Sequence, residues 1–340
     1  MLTSPSPGAP AEERRGPVAV HRAVDDWSAR TGLRRANDVL RAEAADLVHV
    51  FFPDSVLGER YRIPAALGAR HVPLVTTFWN VGLGRRSPVA TKLEALALLA
   101  RSRAVTSHDP FYLRFLRRSV GRFRPVSWLP VGNNLRPDGP AARAPELQPP
   151  APYVAYFGQV DPTRGLEDLF EALASLRRDR DVRLVMIGSA GREERYAADD
   201  SAYRYFRRIR ALPAELGVDE AVVWTPYLPD ADVVELLRGA DLCVLPYRRS
   251  SVGRSALAVA LDVGAPVVLA GRDVTPLRAG EQVALVAPGA PSQLAATIAG
   301  LLDDPDERAR LVAGARRAAE LFSWPRIAAA AQAVYRRVCA

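Results

Sequence analysis

The chain has 340 residues, 49% of them hydrophobic, which is enough for two ordinary cores. No run approaches the ~20 apolar residues that a membrane span needs, and MLTSPSPGAPAEERRG at the start has no apolar h-region of a secretory signal. The formal net charge is +8, yet Lys92 is the only lysine, and no zinc-finger spacing, RNP-like motif or basic repeat appears, so nucleic-acid readers built on those devices are excluded.

Residues 1–17 are Pro-, Ala- and charge-rich and are expected to be a disordered tail. From Ala45 the pattern becomes regular. ADLVHVFFP reads as a strand, DSVLGERYRIPAALGAR as a crossover helix and HVPLVTTFW as a second strand. SPVATKLEALALLARSR is helical, with Ser87-Pro88 as cap and first-turn proline. AVTSHDP is a strand, FYLRFLRRSV a helix, and PVSWLPVG closes this half. Strands that are almost continuously apolar, alternating with helices, predict a parallel α/β sheet buried on both faces. The densest basic stretch, RFLRRSVGRFRP, is read as a solvated helix end, with contact to a membrane surface as the alternative. NNLRPDGPAARAPELQPPAP then lacks periodicity and is expected to be an interdomain linker, 133–150.

The second half repeats the alternation. YVAYFG, VRLVMIG, AVVWTPYL, DLCVLPY, APVVLAG and VALVAPG read as strands. Helical patterns lie between them, among them LEDLFEALASLRR, SAYRYFRRIRALPAELG, SALAVALDVG and DADVVELLRGA, the last with an Asp N-cap; more close the chain. This is a second doubly wound sheet, in which ligands bind beyond the strand C-termini. Two cysteines, Cys243 and Cys339, far apart in sequence, offer neither metal spacing nor a disulfide framework; a cytoplasmic chain is expected, with Cys243 a small buried hydrophobe.

Two turns in this sheet suit an anion. The first follows YVAYFG: Gly158, Gln159, then Arg164 just before a helix, whose free N–H groups and dipole favour negative charge. The second, RRSSVGRSAL, follows DLCVLP and places Ser250, Ser251, Gly253, Arg254 and Ser255 between strand and helix; helix capping by Ser251 or Ser255 is the structural alternative. Together the two turns point to a nucleotide diphosphate. Asp199-Asp200 reads as a solvated acidic pair, and no DxD-like motif flanked by strands is present.

The second half resembles retaining glycosyltransferases of family 4, whose GT-B fold sets two Rossmann-like, doubly wound α/β domains facing across a cleft. YFGQVDPTRGLEDLFEAL is similar to their FxGRxxxxKGxxxLLxA turn, VRLVMIGSAG to their L.IVG.G strand, and LDVGAPVVLAG to A.G.PVV.t. ADLVHVFFPD, VPLVTTFWNVG and LPVGNN resemble the first domain less closely, and the strand and glycine-rich loop that open that domain in the family are hard to find, which implies a truncated or compact start. The family's Glu-x7-Glu pair falls on Ser251 and Val259, the Arg of GR on Gln159, the Lys of KG on Arg164 and the His of its T.H strand on Trp79; SVGRSAL resembles the subset lacking the glutamates.

The resemblance implies domains at 18–132 and 151–320, with 321–340 crossing back to the first domain. It implies transfer of a sugar from a nucleotide-sugar co-substrate to a small-molecule, glycan or lipid acceptor, with retention and without a metal or other cofactor. Arg164, Arg254 and His108 are then the catalytic candidates, and Gly158, Gln159, Arg164, Gly253, Arg254 and Ser255 the diphosphate site. Gly188, Tyr227 and Ser251 fall to the nucleoside, and Trp79, Asn80, His108 and Asp109 to the acceptor or sugar; a capping His-Asp turn is the plainer reading of His108-Asp109. Nucleic acid is not an expected partner, and peripheral contact with the inner membrane face is kept only as an alternative. The missing glutamates keep a second reading open, a non-catalytic relative that binds a nucleotide-sugar or a partner protein. An epimerase of the same fold would need cleft carboxylates and histidines that this chain, with four histidines, hardly offers.

Overall fold

The computed structural model describes residues 1, 10–22, 24, 30–51, 72–78, 89–137, 140–150, 152–188, 201–248 and 252–340. The expected helix DSVLGERYRIPAALGAR, the Ser87-Pro88 cap and Asp199-Asp200 lie outside the described residues. The chain divides into two units: Met1–Pro130 with Ile327–Ala340, and Val131–Arg326.

The first unit opens with a correction. Part of the tail expected to be disordered forms an antiparallel hairpin, β1 (Glu12–Arg15) with β2 (Val18–His21). Gly16 at φ +59 supplies the positive φ that a two-residue turn needs. After α1 (Arg30–Ala42) come β3 (Val48–Phe51), β4 (Leu74–Phe78), α2 (Val89–Arg101), β5 (Ala104–Ser107), α3 (Pro110–Val120) and β6 (Val126–Trp128). The four strands β3 to β6 lie side by side in chain order, all parallel. Leu74 and Phe78 of β4 and Val105 of β5 point to one face, where Ala36, Ala95, Leu98 and Leu116 from α1, α2 and α3 cover them. Val75 and Ala104, one residue out of phase, point to the other face and meet Val334 and Val338 of the final helix.

A polar cluster lies on that second face. His49 reaches Tyr335 Oη and Thr77 Oγ1, both at 2.7 Å, and Thr77 Oγ1 reaches Thr106 Oγ1 at 2.5 Å. A neutral imidazole has one donor and one acceptor, so two hydroxyls satisfy it. Burial lowers the His49 pKa from 6.5 to about 4. The unfolded chain therefore takes up this proton at a higher pH than the folded one, and stability present above pH 6.5 is lost as the pH falls towards 4. The loss amounts to about 3 kcal/mol when complete. His49→Gln is expected to flatten the unfolding free energy measured between those two pH values; a profile parallel to that of the wild type would refute the assignment.

At the start of the second unit, three backbone N–H groups of the Pro-rich segment are bonded to aspartates of a later helix. Arg136 N–H donates to Asp230 Oδ2 at 2.7 Å, and the N–H groups of Arg143 and Ala144 donate to Asp232 Oδ1 at 2.7 and 2.8 Å. A short helix, α4 (Ala144–Leu147), ends it. The same bonds correct the Asp N-cap: α7 (Asp230–Gly239) starts after Pro229 with no side-chain cap, and its two first-turn aspartates hold this segment instead.

Six parallel strands follow: β7 (Tyr153–Phe157), β8 (Arg183–Ile187), β9 (Val222–Trp224), β10 (Leu242–Leu245), β11 (Val267–Ala270) and β12 (Ala284–Val286). Their order across the sheet is β12-β11-β10-β7-β8-β9. The chain winds outward from β7 to β9, then returns to lay β10 on the other side of β7, so the order reverses between β7 and β10. Helices α5 (Leu166–Leu176), α6 (Ser201–Glu215) and α9 (Pro291–Asp303) cover one face through Leu169, Phe170, Phe206 and Ile298. Tyr153 points the other way, and its hydroxyl donates to Leu236 O of α7 at 2.8 Å. On this side α8 (Ser255–Val263) packs against α7 and against α10 (Pro305–Ala319). Cys243 is buried, as expected of a small hydrophobe, and burial pushes its thiol up to about 12. The last helix, α11 (Trp324–Cys339), begins in this unit, where Trp324 Nε1 donates to Asn133 O at 2.6 Å, and from Ile327 belongs to the first.

Candidate functional site

β7 and β10 are neighbours, so the turns that leave their C-terminal ends start side by side at the reversal of strand order. These are the two turns singled out in the sequence. The first is built around Asp161. Its Oδ1 accepts the Thr163 N–H at 2.8 Å and the Thr163 hydroxyl, and its Oδ2 accepts Arg164 Nε at 2.6 Å. Arg164 N–H closes the turn on Asp161 O at 3.0 Å. At its start, Tyr156 Oη donates to Gln159 O at 2.7 Å, and a β-carbon on Gly158 would come within 2.9 Å of that hydroxyl.

Arg164 is buried, which works against its charge. Tyr247, Tyr156 and Asp161 outweigh that cost and hold its pKa above the ordinary value. Burial would likewise raise the Asp161 carboxyl, but the bonds from Thr163 and the charge of Arg164 hold it below its usual range. A fixed, permanently charged guanidinium therefore stands at the N-terminus of α5. The N-cap of that helix is Gly165, which offers no side-chain cap, so its first N–H groups are of the kind that can meet an external acceptor.

The second turn supplies Tyr247, which is fully buried. The Arg164 guanidinium lies 5.3 Å from its ring centroid and that of Arg254 5.8 Å, so one aromatic ring carries both cations. Burial pushes the Tyr247 phenol up to about 12, with Arg164 pulling the other way; its Oη makes no bond of hydrogen-bond geometry among the described residues. Arg254 is the N-cap residue of α8, again with no side-chain cap; Ser255 is the first residue of that helix and does not cap it. The turns are also joined directly. Arg248 N–H donates to Thr163 O at 3.1 Å, and its guanidinium pairs with Asp168 at 3.0 Å in the first turn of α5.

Because the ring rather than the hydroxyl holds the arginines, Tyr247→Phe is expected to keep nucleotide affinity within about twofold. Tyr247→Leu should cost about tenfold, as expected for one or two cation–π contacts. Equal losses in both variants, measured by titration calorimetry, would show that the hydroxyl matters instead.

The remaining candidates fall elsewhere. Gly188 follows β8 at φ +67; its N–H donates to the buried Thr225 Oγ1 at 2.8 Å, and among the described residues no atom lies within 4 Å of where a β-carbon would stand. Tyr227 follows β9 and is exposed. Val259, where the family's second glutamate falls, is buried in α8. In the first unit, His108 and Asp109 are buried; Asp109 caps α3 by accepting Phe111 N–H at 2.8 Å, and His108 O accepts Trp128 Nε1 at 2.9 Å. Trp79, Asn80, Ser250 and Ser251 lie outside the described residues. Sequence reasoning missed Asp161, Tyr247 and the Arg248–Asp168 pair. The Asp-x-Thr turn signature was available for the first; nothing local signals the other two.

The profile of the family "Glycosyl transferases group 1" matches residues 141–318, more than half of the chain and all six strands of this sheet. The chain belongs to that family. The D-inositol 3-phosphate glycosyltransferase of Thermobispora bispora is 33% identical over 210 residues, 60% of this chain and 47% of its own length. This group 1 chain thus spans about half the length of the curated relatives it matches. Among solved structures, sucrose-phosphate synthase from Thermosynechococcus elongatus superposes with a TM-score of 0.77 at 20% identity, covering 99% of this chain and 88% of that one. HepE of Anabaena, solved in complex with UDP, gives 0.70 at 20% identity over 90% and 81% of the two chains. The fold is that of the GT-B glycosyltransferases, an α/β architecture with two Rossmann-like units.

Proposed function

We propose that this group 1 member transfers a sugar from a nucleotide-diphosphate sugar to an acceptor hydroxyl, with retention at the anomeric carbon, as in family 4 members that lack the glutamate pair. The observation that carries the reading is the convergence of Arg164 and Arg254 on Tyr247 where the strand order reverses. In the reaction the bond from anomeric carbon to diphosphate oxygen breaks, leaving its electron pair on the diphosphate. The acceptor oxygen forms the new bond, and its proton passes to the departing phosphate on the same face of the sugar. Charge thus accumulates on the diphosphate. Two fixed guanidiniums and two uncapped helix N-termini are preorganised donors for it, a role that other sugar transferases give to a metal ion. Gly188 and Tyr227 suit the nucleoside, as close backbone approach and an exposed ring. The UDP-bound neighbour makes UDP the first nucleotide to try, and the inositol-phosphate relatives make a polyol phosphate the first acceptor.

The test is thermal shift and calorimetry with UDP, GDP, ADP and dTDP on the wild type and Arg164→Ala. A shift with one nucleotide that the variant loses supports the reading; no response to any of them would overturn it.

A further inference from the structure

The outward face of α2 is apolar where a solvated helix would be polar, and that of α3 mixes phenylalanines with arginines. In α3 the buried side is Leu113 and Leu116. Opposite them, one turn apart on the outer side, lie Phe111, 60% exposed, and Phe115, with Arg114 and Arg118 beside them. The turn after the helix adds Phe123, 76% exposed, next to Arg122. In α2, Val89, Leu93 and Leu96 recur at helical spacing and are also exposed, while Ala95, Leu98 and Leu99 face the core. Arg124 Nη2 donates to Ala100 O at 3.1 Å, which ties the end of α2 to the turn carrying Phe123. Both helices connect successive parallel strands and pack on the same side of the sheet. Three exposed phenylalanines on one helix and the turn that ends it are more than a solvated surface ordinarily shows.

We propose that this surface docks on an anionic bilayer. Charge complementarity selects that occupant. Residues 110–125 carry five arginines and no acidic residue, and the arginines flank the phenylalanines. That is the pattern of an interfacial basic helix, with rings inserted at the acyl boundary and guanidiniums at the phosphates. The surface is separate from the anion site of the other sheet, and the inference stands whether or not the nucleotide reading does.

The test is flotation of the full chain with vesicles of phosphatidylcholine alone, or with a third of the lipid replaced by phosphatidylglycerol. Binding is expected on the anionic vesicles only, and to weaken at high salt. The triple variant Arg117→Gln, Arg118→Gln, Arg122→Gln should lose about a hundredfold, each arginine near an anionic surface counting for roughly fivefold. Phe111→Ser, Phe115→Ser, Phe123→Ser should lose at least about tenfold while unfolding at the wild-type temperature, since all three are exposed. Failure to float on either vesicle, or equal flotation of all three proteins, would overturn the proposal. So would a wild-type dimer in light scattering that the phenylalanine variant dissociates without any vesicle binding, since the patch would then be a protein interface. The nucleotide thermal shift, measured in parallel on the same variants, is expected to be unchanged.

Discussion

Arg164→Ala is expected to abolish the nucleotide thermal shift and to lower sugar transfer about 10²–10³-fold, the range for losing one preorganised donor to a leaving group. The size follows from how completely the side chain is committed. Its Nε is held by Asp161 and its plane by Tyr247, so the site pays little to organise it when charge develops. Arg164→Lys separates charge from geometry. A lysine returns the positive charge without the fork that holds Asp161 and that the proposed diphosphate would need for two-point bonding. It is expected to recover binding more than turnover, read as KM against kcat. A variant Arg164→Ala that transfers sugar at the wild-type rate would remove this turn from the mechanism altogether.

Gly165→Ala should be the most damaging single methyl in the second sheet's turns. Gly165 sits at φ +68, which costs a side chain roughly 1–2 kcal/mol, and the new β-carbon would lie 2.0 Å from Pro246 O. Pro246 is backbone at the end of β10, so nothing flexible can yield; the two turns must part. A loss of more than about 3 kcal/mol is expected, or roughly 6–12 °C in melting temperature for a unit of this size. Gly280→Ala is the control. Its φ is +77, but among the described residues no atom lies within 4 Å of the added carbon, so it should cost only the conformational part. Equal losses in the two variants would show that strain alone matters and that the contact with Pro246 relaxes. If the contact is as described, Gly165→Ala also loses nucleotide affinity and Gly280→Ala does not.

The strands of both sheets were legible because parallel strands buried on two faces are uninterrupted apolar runs, as in VRLVMIG and DLCVLPY. The two anion-suited turns were legible for a related reason: small residues and arginines follow those runs directly. What stayed hidden depends on partners distant in sequence. Asp230 and Asp232 read as helix starters, yet they bond a segment some ninety positions earlier. Tyr247 reads as the end of a strand, and only the neighbouring turn makes it a seat for two arginines. His49 reads as a core residue, and its hydroxyl partners come from β4 and from α11. The hairpin at Glu12–Arg15 was masked by a composition of charge and proline that ordinarily marks an unstructured end.

The docking of α11 has a consequence for synthesis. One face of the first sheet is closed by Val334, Tyr335 and Val338, and Arg103 Nη1 donates to Val338 O at 3.2 Å. Chains usually complete their domains in the order in which they emerge from the ribosome. Here the strands Val48–Trp128 emerge early but wait for residues beyond 326, while Val131–Arg326 holds all six strands of its own sheet before then. The later-made unit is therefore the first that can finish folding, and the earlier one spends the interval with Val75, Ala104 and the His49 cluster open to chaperones.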